Sequence, residues 1–169
     1  MDALEILTDA ANRPREAADA LRGTLTAEQA NAHPLGHPNS IAWLLWHSGR
    51  EIDVQLAALS GGAEVWSAGG WAKRTGLGAA GAHIGYGHSE DEARAIRVED
   101  PALLLDYLEE TLTALLEYLH RLDAGSLGEV VDDQWDPPVT RGARLVSIID
   151  DAVQHLAQAR YVAGMPQVP

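Results

Sequence analysis

The sequence of 169 residues contains no cysteine and no phenylalanine. The absence of cysteine excludes disulfides, thiolate metal ligands and a cysteine nucleophile. A chain without disulfides has no need of an oxidising compartment, and we expect a cytoplasmic protein. Five Trp and four Tyr residues make up the whole aromatic content.

Positive charge and long apolar runs are also scarce. Twelve Lys and Arg residues stand against 25 Asp and Glu residues, so the formal net charge is −13, and Lys73 is the single lysine. Nucleic acids and anionic membranes attract basic patches, so we expect neither as a partner. No apolar run approaches the roughly 18 residues that a membrane span requires. The N-terminal segment shows neither the basic nor the apolar part of a signal peptide.

Residues that favour helices are abundant. Ala and Leu dominate the apolar 46% of the sequence, and both are strong helix formers. Apolar residues recur at spacings of three, four and seven in four long segments, which are residues 2–22, 40–59, 100–122 and 141–163. The pattern predicts an all-α fold, a four-helix bundle, with residues 1–169 forming a single domain.

The segment between the second and third helices is rich in glycine and tryptophan. Residues 61–99 lack helical periodicity, apart from a short piece after Ser89. Nine glycines and two tryptophans, Trp66 and Trp71, fall within residues 61–87. An irregular stretch of this length in a small domain is usually functional or mobile. We expect it to lie over the bundle as a lid.

A carboxylate and an imidazole share one face of the fourth helix. Asp151 and His155 are four residues apart, so their side chains project from the same side, one turn apart. Ile148 and Ala159 place this face on the apolar stripe, where an ionised carboxylate is costly unless a cation meets it. A metal ion is one solution, and a hydrogen-bonded ion pair between the two side chains is the other.

A third ligand would have to come from another helix. His47 follows Trp43 and Trp46 in the middle of the second helix, among apolar neighbours. Two imidazoles and one carboxylate leave coordination positions open, which is typical of a catalytic site rather than a structural one. On the residues alone, His47 is equally compatible with a packed core histidine. His88, in the glycine-rich segment, could approach the same site if that segment folds over it.

Four strings of the sequence carry a resemblance to a known family. They are NSIAWLLWH (residues 39–47), GYGHS (85–89), WDPPVT (135–140) and DDAVQHLAQ (150–158). In this order they resemble the DinB superfamily, and more narrowly its mycothiol-dependent transferases. The resemblance covers nearly the whole chain and implies a DinB-like helix topology.

The resemblance also implies a metal site and a reaction. Family members hold a divalent ion with a His of the second helix and two residues one turn apart on the fourth, which here are His47, Asp151 and His155. Many relatives have His where this chain has Asp151, but the mycothiol-dependent maleylpyruvate isomerase is similar in using a carboxylate. The expected metal is zinc, with nickel, iron and manganese as alternatives.

The activity that the resemblance implies is metal-dependent thiol S-transfer. A divalent ion lowers the pKa of a coordinated thiol, so that the thiolate attacks an electrophile. Because this chain has no cysteine, the thiol must be a small molecule such as mycothiol. The expected partners are therefore a thiol and an electrophile.

Four further residues are candidates for binding the thiol or the electrophile. Trp43 and Trp46 are candidate pocket walls, for which core packing is the alternative. Arg50 and Arg160 each follow a histidine ligand by about one turn and are candidates for binding an anionic group. Surface ion pairs are their alternative role.

Two other functions remain open at this point. The same metal site would suit a hydrolase that uses a metal-bound water, with Glu51, one turn past His47, as the candidate general base. The chain would also suit a stress-related binding protein without catalytic activity, acting as a homodimer.

Overall fold

The computed structural model describes residues 2–165. Four long helices dominate it, and the prediction of an all-α four-helix bundle is confirmed. The elements in chain order are α1 (Ala3–Asp19), α2 (Ala27–Ala30), α3 (Ile41–Ser60), α4 (Val65–Ala68), α5 (Trp71–Arg74), α6 (Glu90–Ala95), α7 (Ala102–Arg121), β1 (Val130–Asp132), β2 (Val139–Thr140) and α8 (Arg141–Ala163).

Local capping sets the ends of the two helices that carry the candidate ligands. The Ser40 hydroxyl accepts a hydrogen bond from the backbone N–H of Trp43 at the start of α3, at 3.1 Å. Thr140 does the same for Ala143 at the start of α8, at 3.3 Å. Each cap is worth about 1 kcal/mol. Gly61 ends α3 in the left-handed conformation, with φ 69°, which glycine adopts without strain.

The core lies where the apolar stripes of the long helices meet. α3 packs against both α7 and α8, and α1 covers the other side of the same pair. The stripes contribute leucine and isoleucine side chains that are almost completely buried: Leu45, Ile52, Leu104, Leu108, Leu112, Leu115, Ile148 and Leu156. This packing fixes α3 and α8 side by side, and the predicted ligands lie between them.

The glycine-rich segment is more ordered than its sequence suggests. It contains α4, α5, α6 and a 3₁₀ turn at Ala80–Ala82. Trp66 and Trp71 are buried and pack against Tyr107 of α7, with ring centroids 5.0 and 5.4 Å away. The segment therefore belongs to the hydrophobic core, and residues 81–85 pass over the middle of α3.

A short antiparallel hairpin precedes the last helix. In it, β1 pairs with β2, with Val130 opposite Thr140 and Asp132 opposite Val139. Because Thr140 is also the N-cap of α8, the hairpin and the helix form one continuous unit. None of the described helices is long and apolar enough to cross a membrane.

Gly49 of α3 is predicted to be intolerant of a side chain. A Cβ atom there would lie 2.6 Å from Cε1 of Tyr107, a buried ring that its hydrogen bond to Asp53 holds in place. Alanine normally stabilises a helix interior by about 1 kcal/mol relative to glycine. We expect Gly49→Ala to lower the free energy of unfolding by about 1–3 kcal/mol instead, measured by urea denaturation.

Gly128→Ala is the matched control, because a Cβ atom at Gly128 meets nothing within 4 Å. Its free energy of unfolding should stay within about 0.5 kcal/mol of the wild-type value. A Gly49→Ala variant as stable as the wild type would contradict the packing of α3 against α7.

Candidate metal centre

The three predicted ligands come together between α3 and α8. The Nε2 atom of His47 lies 3.8 Å from Oδ2 of Asp151, and Nδ1 of His155 lies 3.2 Å from the same oxygen. One ligand atom from each residue lies within 4.8 Å of the other two. In the part of the chain that the structure describes, this is the one group of three or more acidic or imidazole side chains with such spacing.

His47 is held in a single orientation. Its Nδ1 atom lies 2.5 Å from the carbonyl oxygen of Ile84, and its ring stacks on Trp43 with the centroids 4.5 Å apart. Because a carbonyl only accepts, Nδ1 carries the hydrogen and Nε2 keeps its lone pair. Burial lowers the pKa of His47, which favours the neutral imidazole that a metal requires.

His155 has a similar backbone partner. Its Nδ1 atom lies 2.9 Å from the backbone carbonyl of Asp151, one turn earlier in α8, which leaves Nε2 available as a ligand. Burial lowers the pKa of His155, but its contacts with Asp151 outweigh burial and raise the pKa above its ordinary value. A metal ion at this site therefore competes with protons for His155 more than it would for an ordinary histidine.

One oxygen of the Asp151 carboxylate has, among the described residues, no hydrogen bond of good geometry, although Nδ1 of His155 lies 3.2 Å away. This oxygen, Oδ2, is buried. An unsatisfied buried carboxylate oxygen is costly, and a cation bound between the three side chains would satisfy it. Two imidazole nitrogens and one carboxylate oxygen are also a donor set that binds zinc and other divalent first-row transition-metal ions. The residues present thus fit a divalent metal ion.

Glu51 lies next to this site, as its spacing predicts. It is half-buried, and its Oε2 atom accepts a hydrogen bond from Nε2 of Gln55 at 2.8 Å. Burial, followed by the negative charge of Asp151, raises the pKa of Glu51. A carboxylate with a raised pKa beside a metal site is a better proton acceptor than an ordinary carboxylate.

Arg50 has no donor left for a substrate. Its guanidinium is buried, and its five N–H groups are all matched to acceptors in the protein. The acceptors are Oδ2 of Asp53, the hydroxyl of Tyr107, Oε2 of Glu64 and the carbonyls of Ala82 and His83. The expected contact with an anionic substrate is therefore not available to Arg50, since binding one would break this network.

The other candidate binding residues differ in their surroundings. Trp46 is fully buried and donates from Nε1 to the carbonyl of Gly81 at 3.1 Å, so it lies beneath the glycine-rich segment rather than at a pocket surface. Trp43 is 6% exposed and covers one face of His47. Arg160 is exposed on α8, and its role in substrate binding stays a prediction.

His88 approaches the tryptophans rather than the ligand atoms. Its ring stacks on Trp46 with the centroids 5.5 Å apart, and its Nδ1 atom is 3.4 Å from Nε1 of Trp43. It is not a member of the three-residue group described above. The structure thus places it against Trp43 and Trp46.

Sequence reasoning missed the role of Gly85. Its φ is 92°, and a Cβ atom there would lie 2.8 Å from Nδ1 of His47. Only glycine lets the backbone pass this close to the imidazole, which brings the Ile84 carbonyl within hydrogen-bond distance. The glycine was visible in the string GYGHS, but nothing local indicated which side chain it approaches.

The chain matches the family model of the DinB superfamily over residues 10–159. It belongs to the DinB superfamily. This superfamily includes metal-binding proteins, in agreement with the site between α3 and α8. Among solved structures, the chain is similar to a conserved protein from Enterococcus faecalis, with 33% identity, 96% of each chain covered and a TM-score of 0.88. The comparison with curated proteins gave no match.

Asp151→Asn is expected to weaken zinc binding sharply. The amide keeps the shape of the carboxylate but loses its charge, so the site loses its anionic ligand. We expect wild-type protein to bind one Zn²⁺ per chain in isothermal titration calorimetry and the variant to bind far less tightly. Asp150→Asn is the matched control, since Asp150 is exposed and only accepts a bond from Gln154. Equal zinc affinities in the two variants would show that Asp151 is not a metal ligand.

Acidification is expected to release the metal, beginning above the ordinary histidine pKa of about 6.5. The reason is that contacts with Asp151 raise the pKa of His155, whereas burial lowers the pKa of His47. As the pH falls, His155 is therefore the first of the two imidazoles to be protonated. Zinc affinity measured against a competing chelator between pH 8 and 5.5 should fall steadily. A constant affinity over this range would contradict imidazole ligation.

Proposed function

We propose that this protein is a metal-dependent thiol S-transferase that uses a small-molecule thiol such as mycothiol. The observation that carries the proposal is an open three-ligand site in a chain without cysteine. Such a site suits catalysis, and any reactive sulfur has to come from outside the chain. Support for the thiol-transferase branch in particular comes from the resemblance of the four sequence strings.

The chemistry divides between the ion and the side chains around it. A divalent ion held by His47, Asp151 and His155 would lower the pKa of a thiol bound to it. Glu51, one turn along α3, would accept the proton that the thiol loses, and its raised pKa supports this role. The sulfur then forms a bond to the electrophilic carbon as the leaving group departs with its electron pair. Trp43 shields the buried face of His47 from water.

A nearby cavity offers room for the part of the thiol or electrophile that does not react. It has a volume of about 390 Å³ and lies between α3, α8 and β1. Gln55, which binds Glu51, lines the cavity together with Arg144. Gln55 is eight residues from His47, which corresponds to about 12 Å along a helix. A ligand of the size of a glycosylated thiol can span this distance.

A hydrolase is the second candidate, and Glu51 is the observation that favours it. A carboxylate of raised pKa next to a metal site is also the arrangement of a general base for water. The two functions differ in one respect that can be measured, because only the transferase requires an added thiol.

Zinc-loaded protein should catalyse the reaction of mycothiol with a chromogenic electrophile. The rate should depend on both thiol and metal, fall to background after chelation, and fall in Asp151→Asn but not in Asp150→Asn. Hydrolysis of nitrophenyl esters or anilides without thiol would identify a hydrolase instead. If zinc-loaded protein catalyses neither reaction, the proposal is overturned, and a non-catalytic binding protein is the remaining interpretation.

Glu51→Gln is expected to separate proton transfer from metal binding. The amide cannot accept a proton, so the transfer rate should fall by roughly 10²- to 10⁴-fold. Zinc affinity should change little, because Glu51 is not among the three ligands. Gln55→Leu is a companion variant that keeps the Glu51 carboxylate but removes the hydrogen bonds from Gln55 to Glu51 and from Arg144 to Gln55. Full activity in Glu51→Gln would exclude Glu51 as the base.

A further inference from the structure

Four consecutive backbone carbonyls of the glycine-rich segment accept hydrogen bonds from side chains of α3. We call residues 81–84 the carbonyl strip. The bonds run from Nε1 of Trp46 to Gly81 (3.1 Å), from Nη2 and Nε of Arg50 to Ala82 (3.2 Å) and His83 (3.1 Å), and from Nδ1 of His47 to Ile84 (2.5 Å). The hydrogen bond that orients His47, the candidate metal ligand, is thus the last of these four bonds along the segment.

Gly81, the first residue of the carbonyl strip, and Gly85, the residue directly after it, let the strip lie close against α3. A Cβ atom at Gly81 would lie 2.5 Å from the ring of Trp66, and one at Gly85 would lie 2.8 Å from Nδ1 of His47. Neither position has room for a side chain. The strip therefore approaches the helix closely enough for its carbonyls to be bound directly by side chains.

Arg50 in turn is fixed from the opposite side. Asp53 and the hydroxyl of Tyr107 accept from Nη1, and Tyr107 donates to Asp53 at 2.8 Å. Asp53 also accepts from the backbone N–H groups of Val65 and Trp66 at the start of α4. A planar guanidinium held in this way presents its remaining N–H groups in fixed directions, which a lysine ammonium does not.

We propose that Trp46 and Arg50 are positioning residues for His47. By holding the carbonyl strip in place, they keep the Ile84 carbonyl on Nδ1, so that the imidazole adopts the tautomer with Nε2 free toward Asp151 and His155. The effect on metal affinity rests on the proposed metal site. The effect on the tautomer rests on these hydrogen bonds alone.

The tautomer matters because a neutral imidazole binds a metal only through its unprotonated nitrogen. Without the Ile84 carbonyl, the hydrogen is free to move to Nε2, and the ring is free to turn about its stack on Trp43. A hydrogen bond weakens steeply with distance and angle, so a small shift of the carbonyl strip is enough. Outer partners of histidine ligands typically affect metal affinity 10- to 100-fold.

Two tryptophan variants test the proposal with the same chemical change. Trp46→Phe removes the N–H group that binds the carbonyl strip, whereas Trp71→Phe removes an N–H group that has no acceptor in the described structure. Both rings are almost completely buried, so each substitution removes a similar amount of buried apolar surface. Arg50→Lys is the third variant, since one ammonium cannot reach the two carbonyls and the acidic side chains at once.

Nitrogen-15 NMR of the metal-free protein identifies the His47 tautomer, and competition with a chelator measures the zinc affinity. We expect the wild type and Trp71→Phe to keep hydrogen on Nδ1, with zinc affinities within about twofold of each other. Trp46→Phe and Arg50→Lys should show a mixture of tautomers and about 10- to 100-fold weaker zinc binding.

The proposal would be overturned if the Trp46→Phe variant folds and has the same His47 tautomer and the same zinc affinity as the Trp71→Phe variant. If Arg50→Lys does not fold, the comparison of the two tryptophan variants decides alone. If the wild type binds no zinc, the proposed function fails, and the tautomer comparison still decides whether the carbonyl strip positions His47.

Discussion

The packing of α3 against α8 is the constraint on which the site depends. It places one histidine from the middle of α3 opposite an aspartate and a histidine one turn apart on α8. The helices are held together by buried stripes of Leu and Ile side chains, which are a general feature of helix bundles. Three polar groups set into that apolar contact are costly, and one oxygen of Asp151 has no hydrogen bond of good geometry among the described residues. A bound cation would offset this cost and would link the stability of the bundle to its proposed chemistry.

The glycine-rich segment gives the site its rigidity. Its tryptophans are part of the core, and its backbone carbonyls meet side chains of α3 on both sides of His47. The same segment that was expected to act as a lid is therefore also a support for the first ligand. On the α8 side of the site, Asp151 and His155 are partly exposed, whereas His47 is buried.

Local sequence signals predicted the bundle because helix ends and apolar stripes are local features. Ser40 and Gly61 bound α3, and the prediction of residues 141–163 coincides with α8. The spacing of Asp151 and His155 was visible for the same reason. Their assignment with His47 needed the resemblance as well, because no local pattern shows that two helices meet at these positions.

What the sequence could not show depends on contacts between distant segments. Arg50 was assigned to a substrate because it follows His47 by about one turn, yet apart from Asp53 its partners lie just before α4, in α7 and in the carbonyl strip. Asp53, three residues later, is the one local hint of a buried ion pair. The hydrogen bond from His47 to Ile84 involves a backbone oxygen, which leaves no trace in residue identity.

X-ray absorption at the zinc edge tests most directly whether this site activates a thiol. Zinc bound to the protein alone should show only nitrogen and oxygen neighbours at about 2.0–2.2 Å. After addition of mycothiol, one sulfur neighbour should appear at about 2.3 Å, and it must come from the thiol because the chain has no cysteine. A zinc spectrum unchanged by saturating thiol, or the same sulfur signal in Asp151→Asn, would contradict thiol activation at this site.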